Sequence, residues 1–239
     1  MKIRTDKDGY LEEVDVYSDK GMELLNELWL KASFLHRIVY HPKWLGIPII
    51  QLPFDIVMMQ ELIWQIKPDV IVETGVAHGG SAIFYASILQ LLGGGRVIGI
   101  DIEIRDHNRN NIINHPMAKW ITLIEGSSTS EEVFLEAKKL IREDEKVLVV
   151  LDSNHTYDHV RKEIMLYSSV VTPGSYMVVM DGVQKMLSDV PTGKPEWSHD
   201  NPLRAIEEFV GKYPNWAIDN YYNRMGVTYS PNGFLRRIT

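Results

Sequence analysis

Acidic residues stand at or beside the ends of five apolar runs that have the length of buried strands. The runs are DVIVET (69–74), RVIGID (96–101), WITLIEG (120–126), KVLVVLD (146–152) and SYMVVMD (175–181). Ligands of doubly wound proteins bind where the carboxyl ends of parallel strands meet. Carboxylates at that edge can accept hydrogen bonds from ligand hydroxyls or hold a cation. The pattern therefore predicts a ligand site at one edge of a sheet.

A glycine-rich turn, ETGVAHGGS, follows the first run from Glu73 to Ser81. Glycines allow a tight turn and let the backbone approach a ligand closely. The turn approximates G-x-G-x-x-G with Ala77 in the middle position, so a nicotinamide-dependent oxidoreductase is one alternative. A carboxylate beside a pyrophosphate is unfavourable, whereas it suits the sulfonium of S-adenosylmethionine. We predict that this cofactor contacts Glu73, Gly75, Ala77, Gly79 and Ser81.

The next two runs offer further contacts for the same cofactor. Asp101 ends the second run and can accept hydrogen bonds from both hydroxyls of a ribose. Gly126, Ser127 and Ser128 end the third run, where small polar residues could contact an adenine edge. Three consecutive strand ends would thus line one side of the site.

The fourth and fifth runs end in residues suited to catalysis. Asp152 lies beside the expected cofactor, and His155 follows three residues later. An imidazole there could take a proton from a substrate hydroxyl. Asp181 ends the fifth run, and two neighbouring carboxylates could hold Mg²⁺. We predict His155 and Asp152 as catalytic residues, Asp152 also as a cofactor contact, and Asp152 with Asp181 as metal ligands.

Asp152 and His155 could also have roles other than catalysis. Asp152 could cap the following helix, and His155 could be an ordinary loop residue. For His78 and His159 we favour a role as surface or loop residues.

Helical segments separate the five runs, which indicates a parallel sheet with right-handed crossovers. The predicted helices cover residues 20–33, 55–66, 80–92, 106–114, 130–142 and 157–170, and Asn201-Pro202 is a favourable helix start. We expect a long polar loop over 182–200. The segments GVTYS and GFLRRI flank the turn Pro231-Asn232-Gly233 and predict a terminal antiparallel hairpin.

The predicted fold is α/β: a Rossmann-like, doubly wound methyltransferase sheet, mostly parallel, with a C-terminal antiparallel hairpin. An N-terminal helical extension and lead-in segment (1–53) precedes the methyltransferase domain (54–239). The extension is a plausible element of a homo-oligomer. The segment around Trp44 and the loop 182–200 are expected to select the acceptor.

Composition narrows the classes of function. The chain has 239 residues, no cysteine and a formal net charge of −7. Without cysteine there is no disulfide, thiolate metal site or cysteine nucleophile, and the negative charge argues against a nucleic-acid partner. The N-terminus lacks the apolar segment of a signal peptide, and no apolar run reaches the length of a membrane span. We expect a cytoplasmic protein without a membrane partner.

Several motifs in order resemble the cephalosporin hydroxylase (CmcI-like) family, a branch of the S-adenosylmethionine-dependent methyltransferases. The matching segments are VETGVAHGGSAIFYAS, VIGIDIEIRDHNR, LIEGSS, VLVVLDSNHTYDHV, PGSYMVVMD, NPLRAIEEFV and GFLRRI. They extend over about residues 40 to 239. The resemblance implies cofactor contacts at Glu73, Gly75, Asp101 and the turn of residues 126–128.

The resemblance to related sugar O-methyltransferases of macrolide pathways implies that Asp152 is a Mg²⁺ ligand and that His155 is the base. Those enzymes also have a Glu-Asp pair at the end of the fifth strand. Here Met180 stands in place of that Glu, and a thioether is a poor ligand for Mg²⁺. Catechol-type methyltransferases have an Asp-Asn pair at this place. Aligned with that pair, Asp181 is kept and Gly182 stands where the Asn would be.

We predict an O-methyltransferase acting on a hydroxyl of a small polar metabolite, such as a sugar or glycoside in polysaccharide or natural-product biosynthesis. An NAD(P)-dependent oxidoreductase and a non-catalytic, ligand-binding relative are the alternatives.

Overall fold

A seven-stranded sheet in the order β10-β11-β9-β8-β5-β6-β7 forms the centre of the protein, in a computed structural model that describes residues 1–7 and 10–239. The strands are, in chain order, β1 (Lys2–Lys7), β2 (Tyr10–Asp15), β3 (Lys43–Trp44), β4 (Ile47–Pro48), β5 (Val70–Thr74), β6 (Arg96–Asp101), β7 (Ile121–Glu125), β8 (Val147–Leu151), β9 (Tyr176–Val179), β10 (Trp216–Ile218) and β11 (Phe234–Arg237). The helices are α1 (Asp19–Leu35), α2 (Pro53–Ile66), α3 (Gly80–Leu91), α4 (Asp106–Ile113), α5 (Glu131–Lys139), α6 (Tyr157–Tyr167), α7 (Gln184–Leu187) and α8 (Pro202–Lys212).

Strands β5 to β9 are parallel, and β11 pairs antiparallel with both β9 and β10. Every residue of β5 and β8 is buried, as expected for strands covered by helices on both faces. Strand β5 lies between β6 and β8, so the chain changes direction across the sheet there. Such a switch point opens a crevice beyond the carboxyl ends of the strands. The predicted α/β fold class is confirmed.

Apolar side chains form three clusters. One cluster joins α2 and α3 to one face of the sheet through residues such as Leu62 and Phe84. A second joins α5, α6 and α8 to the other face through residues such as Tyr167 and Ile206. The third, here named the cap cluster, comprises Leu30, Val39, Leu52, Val183, Leu187, Val190, Val227 and Tyr229. The cap cluster joins three distant parts of the sequence above the carboxyl edge of the sheet.

The helix predicted over 20–33 is confirmed as α1, but two preceding strands are not predicted by the sequence analysis. Strands β1 and β2 form an antiparallel pair with Lys2 opposite Asp15. Their side chains are largely exposed and charged, so the sequence lacks the apolar alternation by which strands are recognised.

The predicted terminal hairpin is antiparallel but has the wrong first strand. Strand β11 pairs with β10, whereas the segment 226–230 forms no strand. The buried carboxylate of Asp55 holds that segment instead, accepting hydrogen bonds from Thr228 Oγ1 (2.5 Å) and Tyr229 N (2.9 Å). This contact between positions far apart in sequence displaces the local pairing.

Helix boundaries elsewhere follow the sequence closely. The Asn201 side chain accepts a hydrogen bond from Arg204 N (3.1 Å) and caps α8, as the Asn-Pro pair predicts. The expected loop 182–200 contains α7 and a short 3₁₀ helix, Pro195–Ser198.

Within the described ranges, no helix combines the length and hydrophobicity needed to cross a membrane.

Candidate active site

A cavity of about 520 Å³ lies beyond the carboxyl ends of β5, β8 and β9. Six residues predicted from the sequence line it: Gly75, Ala77, Ser81, Asp152, His155 and Asp181. The sheet thus brings the glycine-rich turn together with the ends of the fourth and fifth runs. The other predicted site residues, Glu73, Gly79, Asp101, Gly126, Ser127 and Ser128, are not among its lining residues.

Backbone geometry explains the glycines of the turn. Gly75 has φ of +88°, and a Cβ atom there would overlap the carbonyl oxygen of Asp152. Its amide donates to Ile100 O (2.8 Å), which ties the turn to the neighbouring strand. Gly79 has φ of +86° and occupies the N-cap position of α3. The turn can therefore offer its backbone to a ligand without an intervening side chain.

Glu73 is fully buried below the turn. Neither of its carboxylate oxygens has a hydrogen-bond partner among the described residues. Burial, reinforced by the charge of Asp101 and opposed by the nearby Ser81 hydroxyl, raises the pKa of Glu73 to about 8. A buried carboxylate without a partner fits a ligand that brings a cationic group, such as the ammonium of S-adenosylmethionine.

Asp101 holds the turn in place. Its Oδ2 accepts hydrogen bonds from Val76 N (2.8 Å) and Ala77 N (3.0 Å), and its Oδ1 accepts one from Glu103 N (3.3 Å). This role in fixing the loop is one that the sequence analysis does not predict. A carboxylate has lone pairs left after these bonds, so contact with a ribose remains a prediction.

The turn after β7 belongs to a polar network. Gly126 has φ of +158°, and the Ser127 and Thr129 hydroxyls are 3.0 Å apart. His159 Nε2 lies 3.1 Å from Ser128 Oγ and 3.0 Å from Ser153 Oγ. The Ser153 hydroxyl in turn donates to Glu163 Oε1 (2.7 Å), a buried carboxylate on α6.

The reading of His159 as a simple surface residue is therefore wrong. Since Ser153 donates its only hydroxyl proton to Glu163, His159 Nε2 must donate to Ser153. His78, which also lines the cavity, pairs with Asn108 through Nδ1 and Oδ1 at 3.1 Å.

Asp152, His155 and Asp181 form a compact cluster at the cavity. One ligand atom from each lies within 4.8 Å of the others. His155 Nε2 is 3.2 Å from Asp181 Oδ2. Burial raises the pKa of Asp152 well above its usual range, and the neighbouring carboxylates of Asp181 and Glu73 raise it further. Convergent carboxylates of this kind fit a cation, which would relieve their repulsion.

Met180 does not line this cavity. Its side chain is 4% exposed, packs in a core cluster and accepts a hydrogen bond from Ser230 Oγ (3.1 Å). Gly182, the other departure, is buried against Pro231. The alternative role of Asp152 as a helix cap does not apply, because Thr156 occupies the N-cap position of α6.

The opposite wall of the cavity includes residues from both segments expected to select the acceptor, the one around Trp44 and the loop 182–200, but its residues Arg37 and Tyr229 are missed by the sequence analysis. It comes from the cap cluster and its surroundings, with Arg37, Tyr40, Gln184, Leu187 and Tyr229 among the lining residues. Within the segment around Trp44, Tyr40 and Pro48 to Ile50 line the cavity, whereas Trp44 itself packs on Phe84 with ring centroids 4.7 Å apart and donates to Ser87 Oγ (3.0 Å). No local motif marks the wall, because its parts are far apart in sequence.

Backbone strain offers a signal that only the structure reveals. Seven non-glycine residues among those described have positive φ, and four of them line this cavity: Arg37 (54°), Ile50 (54°), Ala77 (46°) and Asp181 (59°). Such conformations are costly and concentrate at functional sites. This concentration supports the assignment of the cavity as the active site.

Solved structures share the doubly wound fold of this protein. CmcI solved with Mg and SAM shares the fold with a TM-score of 0.58 at 21% identity, covering 84% of this chain and 78% of that chain. An O-methyltransferase from Bacillus cereus in complex with SAH has a TM-score of 0.57 at 18% identity, covering 85% and 84%.

The sequence identifies the family. The sequence model of the rhamnosyl O-methyltransferase/CmcI family matches residues 36–238, and the chain belongs to this family. A rhamnosyl O-methyltransferase of Mycobacterium leprae is 30% identical over 202 residues, covering 81% of this chain and 82% of that protein. One of Mycobacterium bovis is 28% identical over 242 residues, covering 90% and 94%. The predicted resemblance and the predicted class, an S-adenosylmethionine-dependent methyltransferase, are confirmed.

Proposed function

We propose that this protein transfers the methyl group of S-adenosylmethionine to a hydroxyl of a sugar or glycoside. The observation that carries the proposal is the convergence of Asp152, His155 and Asp181 in one cavity with the glycine-rich turn. The names of the rhamnosyl O-methyltransferases support a sugar as the acceptor. A nicotinamide-dependent oxidoreductase finds no support in the family.

The ends of β5, β6 and β7 would hold the cofactor, which supplies an electrophilic methyl group when bound. Glu73 would accept hydrogen bonds from the ammonium, because its buried oxygens have no other partner in the described structure. Gly75, Ala77, Gly79 and Ser81 would border the cofactor along the turn, and Asp152 would border it from β8. Asp101 would contact the ribose, and Gly126, Ser127 and Ser128 the adenine.

His155 would act as the general base. Its contact with Asp181 would orient the imidazole towards the acceptor hydroxyl. The acceptor hydroxyl would lie between His155 and the cofactor, so that much of the rate acceleration comes from positioning the reacting groups.

Asp152 and Asp181 would hold Mg²⁺, which would lower the pKa of the acceptor hydroxyl when bound. Because position 180 offers no carboxylate, water or substrate oxygens would have to complete the coordination. We therefore propose a weak site that fills together with the acceptor.

Turnover of S-adenosylmethionine with a panel of sugars and glycosides tests the proposal. His155→Ala should lower turnover by about 10²-fold, the scale of lost general-base catalysis, with little change in cofactor affinity. The residual activity should also lose the pH-dependent limb that a base produces. His107→Ala, which removes an exposed histidine on α4, is the control and should retain native turnover. Native turnover in the His155 variant across the pH range would make His155 a structural residue.

A further inference from the structure

Arg37 presents an unpaired cation to the active-site cavity. The residue is exposed and lines the cavity, and no hydrogen bond or ion pair within the described structure engages its guanidinium. Its backbone has φ of 54° and is held by two hydrogen bonds, from Arg37 N to Phe34 O (3.0 Å) and from Tyr40 N to Arg37 O (3.1 Å). The backbone of Arg37 is thus held at the wall by two hydrogen bonds, while its exposed side chain is left available to a ligand.

A second polar group on the same wall is only weakly paired. Tyr229 is 8% exposed and lines the cavity, and the Ser33 hydroxyl lies near its hydroxyl without the geometry of a full hydrogen bond. The backbone on both sides of the ring is fixed, because Tyr229 N donates to Asp55 and Tyr229 O accepts from Val183 N (3.2 Å). A buried hydroxyl without a full hydrogen bond is costly, so a ligand group that accepts its proton fits this position.

The catalytic cluster lies to one side of most predicted cofactor contacts. Those contacts stand at the ends of β5, β6 and β7, whereas Asp152, which is a further predicted cofactor contact, and Asp181 follow β8 and β9. Gln184, beside Tyr229 in the cavity lining, donates its backbone N–H to Asp181 O (3.1 Å). Tyr229 and its neighbours therefore face the space beside the catalytic cluster, where an acceptor would lie.

The charged side chains around the cavity indicate which charge the acceptor carries and where. Asp152 and Asp181 would repel an anionic group, whereas Arg37 would attract one. Arginine binds carboxylates and phosphates with two parallel hydrogen bonds. We propose that Arg37 binds an anionic group of the acceptor, with the Tyr229 hydroxyl as a second donor, so that the acceptor is an acidic sugar. This inference rests on the proposed function and names its substrate class.

Calorimetry with paired probes tests the inference on the full chain saturated with S-adenosylhomocysteine. Methyl β-D-glucuronide is compared with methyl β-D-glucopyranoside, and glucose 6-phosphate with glucose. The native chain should bind the acidic member of at least one pair about tenfold more tightly, the scale of one charge-assisted hydrogen bond. The pair that shows the preference distinguishes a uronate from a sugar phosphate.

Three variants assign the preference to Arg37. Arg37→Gln should abolish it, and Arg37→Lys should keep part of it, since lysine retains the charge but loses the planar fork. The control is Lys185→Gln, which removes an exposed cation next to Gln184 that does not line the cavity. This variant should keep the native preference. Affinity for S-adenosylhomocysteine should change less than about twofold in all three.

Several results would overturn the inference. One is equal binding of both members in each pair, and another is a preference that survives in Arg37→Gln. A third is a loss of S-adenosylhomocysteine affinity in Arg37→Gln, which would assign the arginine to the cofactor carboxylate. Methyl transfer to neutral sugars unaffected by Arg37→Gln would leave the proposed function intact and refute the inference. Conversely, an Arg37-dependent anion preference of the chain alone, without any methyl transfer, would support the inference and refute the proposed function.

Discussion

The two walls of the cavity are built by different means. The wall proposed for the cofactor, here named the cofactor wall, is one continuous turn, 73–81, whose shape depends on positive backbone angles and on the close approach of Gly75 to Asp152. The wall proposed for the acceptor, here named the acceptor wall, consists of side chains from three distant segments that the cap cluster holds together, near residues 34–50, 184–192 and 229. The first wall therefore tolerates almost no change, whereas side chains of the second can change without disturbing the sheet. A family built in this way can keep one cofactor while its acceptors diverge.

The largest effect should follow from adding one methyl group to the cofactor wall. In Gly75→Ala the new Cβ would overlap the Asp152 carbonyl oxygen, and φ of +88° is unfavourable for alanine. We expect S-adenosylmethionine affinity to fall by about 10²-fold or more, because the strand ends must separate. Calorimetry with S-adenosylhomocysteine measures the loss.

Gly174→Ala separates the effect of the positive φ angle from the effect of the overlap with a neighbouring backbone. Gly174 has a similar φ of +80°, but a Cβ there would meet nothing within 4 Å. This variant should lose about 1 kcal/mol of stability from the backbone angle alone and keep its cofactor affinity. Equal effects of the two substitutions on cofactor binding would contradict the close-approach argument.

Removing metal should have the next largest effect, on turnover rather than on cofactor binding. EDTA should lower activity about tenfold or more, since activation of the hydroxyl is lost, and millimolar Mg²⁺ should restore it. Asp181→Asn should raise the Mg²⁺ concentration that gives half of full activity. Full activity in EDTA would leave Asp152 and Asp181 as groups that orient His155 and the acceptor.

Glu73→Gln should change the pH dependence of stability on the cofactor wall. The pKa of Glu73 is about 8 in the fold and near 4.5 when unfolded, so between these values the unfolded chain binds fewer protons. Glu73 should therefore make the free energy of unfolding fall as pH rises through this window, by at most about 1.4 kcal/mol per pH unit from this one group. The glutamine variant should show a correspondingly smaller slope, and urea unfolding from pH 5 to pH 8 without cofactor compares the two.

Glu145→Gln is the control of opposite sign. Arg96 lowers the pKa of Glu145 to about 2, so its stabilisation is complete above pH 4.5 and is lost as pH falls towards 2. This variant should be less stable than the native chain at pH 7, while Glu73→Gln should be more stable. Only Glu73→Gln should weaken S-adenosylhomocysteine binding. If Glu145→Gln weakened S-adenosylhomocysteine binding and Glu73→Gln did not, the Glu73 carboxylate would not contact the cofactor.

The same difference between the walls explains what the sequence could predict. Glu73, Gly75 and Asp181 stand at the ends of apolar runs, so their common edge follows from strand periodicity and parallel pairing alone. Arg37 and Tyr229 carry no local pattern, because their place depends on packing between α1, the segment 183–190 and the segment 227–229. The terminal hairpin fails for a related reason: Asp55, about 170 positions away, takes the hydrogen bonds of Thr228 and Tyr229. The local sequence correctly predicted that the last strand pairs antiparallel, but it predicted the segment 226–230 as the partner where the structure has β10.

The smallest effect should come from a single hydroxyl on the acceptor wall. Tyr229→Phe keeps the ring in the cap cluster and removes only the hydroxyl that lacks a full hydrogen bond in the described structure. If that hydroxyl donates to the acceptor, the acceptor KM should rise about threefold to tenfold, the scale of one hydrogen bond, while cofactor affinity stays unchanged. Tyr167→Phe is a matched control, since Tyr167 also has a buried hydroxyl without a described partner but lies in the second core cluster, away from the cavity. Tyr167→Phe should lose no stability, because it removes a buried hydroxyl that has no bond to break, and Tyr229→Phe should lose little, because only the Ser33 hydroxyl lies near the group it removes. Equal acceptor KM values for both variants would show that the Tyr229 hydroxyl does not meet the acceptor, and would leave Arg37 as the only donor assigned to this wall.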